Sequence, residues 1–225
     1  AYFQRFLRLP QRLTWKGLRW FHDPAARIMT RSLSMARKLK RKGFREVVEW
    51  NGSVDLNLFY PREKKLARHL RPIWLYVGRV SVEKNLEAFL DIDYGIGTKM
   101  VVGDGPQRTK LKAAYPEVIF TGSKSGEELA QLFSEGDVFV FPSKTDTFGR
   151  VMVEALACGV PIAAYPTIGP RDIVTAPHLG CLSRDLRYAS FTALERGVPE
   201  LCVEHAKNFS IPSVSRQFLA NLVPV

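Results

Sequence analysis

Long apolar runs, cysteine and histidine are all scarce in this chain of 225 residues. No window holds about 18 consecutive apolar residues, so the sequence predicts no transmembrane helix. The three cysteines, Cys158, Cys181 and Cys202, have no metal-ligand spacing and suggest a reducing compartment, the cytoplasm. The four histidines are scattered and nominate neither a base nor a metal ligand. A hydrophobic content of 46% nevertheless supports a folded core and argues against disorder.

Acidic residues are nearly absent from residues 1–45, which hold thirteen Lys or Arg but only Asp23 as an acid. The rest of the chain holds twenty bases and twenty-one acids, so this basic section carries the net charge of +11. Its bases are interleaved with aromatic residues such as Phe6, Trp15 and Trp20, a combination typical of proteins that bind an anionic membrane surface. Nucleic acid would also attract such a patch and is the least favoured partner. Ordinary solvated helices with inward-packed aromatics are a third interpretation.

Short apolar strands alternate with helices along most of the chain, which predicts an α/β fold with a parallel, Rossmann-like sheet covered by helices on both faces. The strands are predicted at 27–32, 45–50, 73–79, 99–105, 117–122, 137–143 and 161–166, and the helices at 34–44, 82–90, 106–115, 126–133, 149–159, 185–196, 198–208 and 212–222. We predict a basic unit over 1–55, the Rossmann-like domain over 56–208 and a C-terminal helix within 209–225.

The turn after the strand at 73–79 carries two candidate ligand-binding cations. Ligands of parallel sheets bind beyond the carboxyl ends of the strands. Gly78 lets the chain turn there, and Arg79 and Lys84 can both point into the crevice. Two fixed cations near a helix start suit a diphosphate, although ordinary surface bases would produce the same short pattern.

Two other motifs do not nominate a site. The stretch "VVGDGPQR" resembles a dinucleotide fingerprint, but Arg108 stands where the third glycine belongs, so an NAD-type reductase is not supported. Asp104 in the same stretch is interpreted as a turn residue. Asp91 and Asp93 form a D-x-D, a pattern short enough to occur by chance, and it follows a helix rather than a buried strand. The sequence therefore predicts no metal site.

The stretch from Asp146 to Glu154 combines a polar loop with an apolar helix. The free N–H groups near Phe148, Gly149 and Arg150 form an anion-binding helix start, and Gly149 allows close approach of the backbone to a ligand. Burying Glu154 without a partner would be costly, and vicinal hydroxyls such as those of a ribose could be its partners. Asp146 could hold sugar hydroxyls. The alternatives are a turn residue for Asp146 and a solvent-reaching acid for Glu154.

Four motifs together resemble the C-terminal domain of the retaining family 4 glycosyltransferases, which have the GT-B architecture. They are "YVGRVSVEKNL", "VVGDGP", "VIFTG" and "FPSKTDTFGRVMVEALACGVPIAA", and they run in the family's order from about Val54 to Val174. The family pattern has two acids eight positions apart, usually both Glu. Asp146 replaces the first here, as in the branch that includes sulfoquinovosyl and other glycolipid-forming transferases. This departure favours a lipid acceptor.

The resemblance implies a role for each candidate residue and requires no cofactor or metal. Arg79 and Lys84 would hold the diphosphate of a nucleotide-sugar donor, and Glu154 the ribose. Asp146 and the neighbouring backbone would hold the transferred sugar, and the loop at 122–124 would border the base. Asp146, Arg79 and Lys84 are thus the implied catalytic residues. The implied donor-binding set is Gly78, Arg79, Lys84, Gly122, Ser123, Lys124, Asp146, Thr147, Phe148, Gly149, Arg150 and Glu154.

Residues 1–55 resemble the tail of the family's N-terminal, acceptor-binding domain. The last helix, within 209–225, resembles the crossover helix that returns to that domain. Since the rest of that domain does not precede Ala1, we expect either a fragment or a reduced relative. The function expected is retaining transfer of a sugar to an acceptor hydroxyl of a lipid or glycan, in the cytoplasm or peripherally on the inner face of a membrane. The alternative is a non-catalytic nucleotide-sugar-binding module whose basic arm binds a membrane or a partner.

Overall fold

The computed structural model describes residues 10–223. The first aromatic residues of the basic section, including Phe6, lie outside the described residues. The strands are β1 (Ile28–Thr30), β2 (Val47–Glu49), β3 (Ile73–Val77), β4 (Thr98–Val102), β5 (Ile119–Gly122), β6 (Val138–Phe141), β7 (Ile162–Ala164) and β8 (Gly180–Leu182). The helices are α1 (Gln11–His22), α2 (Leu33–Arg41), α3 (Glu87–Leu90), α4 (Arg108–Ala114), α5 (Gly126–Glu135), α6 (Arg150–Ala157), α7 (Pro170–Ile173), α8 (Leu186–Arg196), α9 (Pro199–Ala206) and α10 (Ile211–Ala220).

Strands β3 to β8 form one parallel sheet in the order β5-β4-β3-β6-β7-β8, and β1 pairs with β2 in a separate parallel sheet. The predicted parallel α/β fold is confirmed. Side chains of β3 alternate between two apolar cores: Leu75 and Val77 belong to one, and Trp74 and Tyr76 to the other. Because both faces of the strand are buried, its sequence is continuously apolar rather than alternating.

Four elements differ from the sequence prediction, and one of them is α7, a four-residue helix that was not predicted. The helix expected at 82–90 is a 3-10 turn over Val82–Lys84 and a four-residue helix, α3, separated by Asn85 in the left-handed conformation (φ 57°). Asparagine is one of the few residues that adopt this conformation readily. Strand β8 was not predicted because its three residues carry no periodic signal, and α1 was not assigned within the basic section.

The first unit packs on the main domain through α2 and α10. Ser34 donates hydrogen bonds from its backbone N–H (2.9 Å) and its hydroxyl (2.6 Å) to the two carboxylate oxygens of Asp172 on α7. From α10, Gln217 accepts a hydrogen bond from the Asn51 backbone at 2.8 Å, and Asn221 donates to the carbonyl of Glu49 at 2.7 Å. The domain boundaries at 55 and 208 stay a prediction.

A buried carboxylate at the end of α5 ties the segment before β3 to the sheet. Glu135 is 2% exposed and accepts hydrogen bonds from the backbone of Lys65 (2.7 Å) and Leu66 (3.1 Å) and from the Arg71 guanidinium (3.0 Å). Burial alone would raise the pKa of Glu135, but these hydrogen bonds together lower it below its ordinary value. The ionised form of Glu135 therefore stabilises the fold.

Glu135→Gln should lower the free energy of unfolding by about 2–4 kcal/mol near pH 7, because it removes a charge on which several donors converge. Since the folded pKa is depressed, this stabilisation is present above the unfolded pKa and is lost as the pH falls through the folded value. Urea denaturation should thus show that the free energy of unfolding of the variant approaches that of the wild type as the pH falls. Glu128→Gln on the exposed face of α5 is the control, with an expected loss below about 0.5 kcal/mol. A loss independent of pH would contradict the assignment.

Candidate functional site

The order of the strands opens a crevice between the ends of β3 and β6. These strands are neighbours, with Trp74 opposite Val138, but the chain leaves β3 towards β4 on one side and β6 towards β7 on the other. A sheet whose strand order reverses in this way leaves a gap at the carboxyl edge, where ligands bind. The turn after β3 and the loop after β6 therefore face each other across this gap.

Two candidate residues from opposite sides of the crevice form an ion pair. The Nζ of Lys84 lies 2.7 Å from Oδ1 and 2.9 Å from Oδ2 of Asp146, and about a quarter of each side chain is exposed. The two residues stand 62 positions apart in the chain. Residues that the sequence assigned to different parts of a ligand are thus each other's partners in this structure.

Further hydrogen bonds join the same turn to the same loop. The side chain of Asn85 donates to the carbonyl of Pro142 at 3.1 Å, and the hydroxyl of Thr145 donates to the carbonyl of Glu83 at 3.3 Å. None of these four residues was singled out from the sequence. The left-handed conformation of Asn85, which ends the 3-10 turn, is visible in the backbone but was not predicted from the sequence. Together these bonds fix the positions of Lys84 and Asp146.

Arg79 is an exposed cation in the same turn as Lys84. No hydrogen bond or ion pair engages its side chain within residues 10–223, and it lines a cleft of about 300 Å³ with Gly78, Ser123 and Lys124. From beneath, the hydroxyl of Tyr76 donates to the Arg79 carbonyl at 2.9 Å. Burial and the nearby Asp146 carboxylate raise the pKa of Tyr76, so the phenol stays protonated and holds the turn. The sequence analysis did not single out Tyr76, which lies in an apolar strand.

The start of α6 has free backbone donors. Among the described residues, no acceptor is hydrogen-bonded to the N–H groups of Phe148, Gly149 or Arg150. Gly149 has φ 84°, and a Cβ there would lie 2.6 Å from Cε of Met152. The ring of Phe148 turns inward and packs against Phe209, with centroids 6.0 Å apart, so the backbone is what Phe148 offers a ligand. Thr147 beside it is exposed.

Glu154 is buried one turn further along α6, with 8% of its side chain exposed. Its Oε1 lies 3.1 Å from Nε of Arg150, whose own side chain is 71% exposed. Burial raises the pKa of Glu154, and Arg150 opposes part of that shift. No described residue donates a hydrogen bond to Oε2, which leaves that oxygen as an acceptor for a ligand. Arg150 is therefore part of what makes the burial tolerable.

The loop after β5 lies at the other end of the crevice. Ser123 is exposed, and Lys124 pairs with Glu128 at 3.3 Å. Gly122 has φ 78°, and a guanidinium nitrogen of Arg108 lies 3.4 Å from where its Cβ would be. The sequence analysis noted Arg108 only because it stands where the third glycine of a dinucleotide fingerprint belongs. In the structure it adds a further cation at this edge.

A wider cleft of about 630 Å³ lies at the opposite edge of the sheet, between the starts of β3 and β4. It contains the D-x-D pair, Asp91 and Asp93, together with Gly95, Gly97 and Lys99. Within the described part of the chain, no three His, Cys, Asp or Glu are grouped so that they could hold a metal ion. The two clefts lie at opposite edges of the sheet.

The sheet and its crevice define a GT-B type α/β unit, and comparison with known proteins gives the family. The family described as "Glycosyl transferases group 1" matches residues 71–195, more than half the chain. The chain belongs to this family, which confirms the resemblance drawn from the four motifs.

Relatives with established names share about a third of their aligned residues with this chain. A GDP-mannose-dependent alpha-mannosyltransferase of Mycobacterium tuberculosis is 35% identical over 76% of this chain and 47% of that protein. The sulfoquinovosyl transferase SQD2 of Arabidopsis thaliana is 31% identical over 71% of this chain and 34% of that protein. The chain thus spans about half the length of the mannosyltransferase and about a third of the length of the plant enzyme.

Solved structures agree with the fold. HepE of Anabaena, in complex with UDP and glucose, superposes with a TM-score of 0.77 at 18% identity, over 96% of this chain and 68% of that one. Sucrose-phosphate synthase of Thermosynechococcus elongatus gives a TM-score of 0.77 at 22% identity, over 96% and 62%. At such identities the likeness concerns the fold alone.

Proposed function

We propose that this chain is the donor-binding part of a retaining glycosyltransferase, which moves a hexose from a nucleotide-diphosphate sugar to an acceptor hydroxyl. The observation that carries the proposal is that Lys84, in the same turn as Arg79, meets Asp146, in the same segment as the free N–H groups that begin α6. Such an arrangement offers cations for a diphosphate and a carboxylate for sugar hydroxyls.

The chemistry follows from charge. As the bond between the sugar and the diphosphate breaks, negative charge develops on the leaving phosphate. Arg79, Lys84 and the start of α6 would stabilise that charge. Glu154 would accept hydrogen bonds from the ribose, and Asp146 from the sugar. The acceptor hydroxyl would approach the same face of the sugar that the diphosphate leaves, so the anomeric configuration is retained.

The names of the relatives suggest which donor to test first. The mannosyltransferase of Mycobacterium tuberculosis is GDP-mannose-dependent, so GDP-mannose is our first choice, with UDP-glucose as the comparison. A ligand that binds only the folded chain raises its melting temperature, and a screen of nucleotide sugars should identify at least one that does. If none shifts the transition at millimolar concentration, the proposal is wrong. Release of nucleoside diphosphate on addition of acceptor would separate a transferase from a binding module.

The acceptor we propose is a membrane lipid, because α1 offers a surface that suits an anionic bilayer. Trp20 and Phe21 are 79% and 70% exposed at its end, whereas Trp15 packs against Phe44 in the core beneath. Arg12, Lys16 and Arg19 lie on the same helix. Basic and aromatic side chains on one helix favour the interface of an anionic membrane. No helix within residues 10–223 is long and apolar enough to cross a membrane.

Trp20→Ala combined with Phe21→Ala should weaken binding to vesicles containing anionic lipid by about tenfold, because two aromatic anchors are lost. Both side chains are exposed, so the fold should be retained. Tyr188→Ala on α8, where the side chain is 57% exposed, is the matched control and should leave binding unchanged. Vesicle flotation at low and high salt measures both. Equal binding by all variants, or a preference for RNA over vesicles at the same salt, would exclude the membrane surface.

A further inference from the structure

Lys84, which the diphosphate of the nucleotide-sugar donor would need, is already paired with Asp146. An ammonium has three N–H donors, and both carboxylate oxygens of Asp146 lie within hydrogen-bond distance of this one. A diphosphate that binds Lys84 must therefore displace at least part of the contact with Asp146. The Arg79 side chain, in contrast, forms no hydrogen bond or ion pair with any described residue, so a phosphate would displace none there.

We propose that Asp146 competes with the diphosphate for Lys84, so that the site selects the intact nucleotide sugar over the bare nucleoside diphosphate. This inference rests on the proposed function. When an intact donor binds, its sugar hydroxyls replace the ammonium as hydrogen-bond donors to Asp146. When the bare diphosphate binds, it brings no such donor, and a carboxylate is left unpaired beside an anion. An unpaired charged group is costly, so the product is bound less tightly and leaves.

Hydrogen bonds join the turn after β3 to the loop after β6, which limits how far Asp146 can move away from Lys84. Asn85 hydrogen-bonds the carbonyl of Pro142 at the end of β6, and Thr145, next to Asp146, hydrogen-bonds the carbonyl of Glu83, next to Lys84. Both bonds span the crevice at its base. Competition for one ammonium between two acceptors held at fixed positions is a coupling that binding measurements can detect.

Asp146→Asn should raise the affinity for GDP or UDP roughly five- to tenfold, because Lys84 is released from its carboxylate. The affinity for the matching nucleotide sugar should rise less or fall, so that preference for the donor is lost. Isothermal titration of the full chain measures both. Glu83→Gln is the matched control, since Glu83 is an exposed acid near Arg79 and Lys84 that is hydrogen-bonded to Ser81 instead. Its effect should stay within about twofold.

A Lys84→Met background tests whether Asp146 acts through the ammonium. If it does, Asp146→Asn should give a clearly smaller gain for the diphosphate in that background than in the wild type, because only the like-charge repulsion is then relieved. A gain of equal size there, an equal gain from Glu83→Gln, or no gain in the single variant would overturn the inference and leave the proposed function standing. If no nucleotide binds the wild type or any variant, the proposed function falls together with the inference.

Discussion

Arg79→Ala should weaken the binding of nucleoside diphosphates by about ten- to a hundredfold and leave the binding of the free nucleoside nearly unchanged. The physical reason is that Arg79 is exposed, lines the cleft and has no partner within the described residues, so its whole hydrogen-bonding capacity is available to a phosphate. Removing it should not disturb the fold. Isothermal titration with GDP and guanosine, or with UDP and uridine, separates the two effects.

Two controls sharpen this result. Arg79→Lys keeps the charge but loses the planar fork, so its loss should be intermediate. Lys110→Ala removes an exposed base on α4, where it pairs with Glu87 at 3.4 Å, and should have no effect on affinity. Binding of the diphosphate should also weaken as salt is added, since the interaction is between charges at a partly open site. Equal losses of affinity for the nucleoside and for the diphosphate would show that Arg79 does not bind the phosphates.

Glu154→Gln should reduce nucleotide affinity about tenfold or more, because a charge-assisted bond to hydroxyls contributes about 1.5–3 kcal/mol. The same change should leave the melting temperature equal or higher. Burial raises the pKa of Glu154, so ionisation at neutral pH opposes folding, and an uncharged amide of the same size removes that cost.

The raised pKa also predicts the pH dependence of this site. As the pH falls, Glu154 should take up its proton earlier than an ordinary glutamate, and nucleotide affinity should decline in that window for the wild type but not for Glu154→Gln. Unchanged affinity in the variant would remove Glu154 from the site. A collapsed melting transition would show instead that the carboxylate is structural.

The fold could be predicted because its strongest signals are local. The apolar strands β3, β4 and β6 and the helices between them gave the parallel sheet directly. Elements without such a signal were missed: β8 has three residues, Gly180–Leu182, and its place at the edge of the sheet depends on tertiary pairing with β7. The break at Asn85 was also missed, because the apolar pattern of 82–90 suits a helix as well as a turn followed by a short helix.

The sequence could nominate candidate residues one by one, but it could not show which of them meet in the fold. Spacing along the chain nominated Lys84 and Asp146 separately, whereas their ion pair depends on the reversal of strand order between β3 and β6. Tyr76 shows a second reason, since a tyrosine in an apolar strand reads as core until its hydroxyl is seen to support the Arg79 backbone. In both cases the missing information was three-dimensional adjacency.

The most direct test of the account is to find which edge of the sheet the nucleotide occupies. Backbone amide shifts of the ¹⁵N-labelled chain, titrated with GDP or UDP and with the corresponding nucleotide sugar, report on glycines at both edges. We predict that the largest changes occur at Gly78, Gly122 and Gly149, beside the crevice at the carboxyl ends of the strands. Changes confined to Gly95 and Gly97, which line the wider cleft at the opposite edge, would contradict the account.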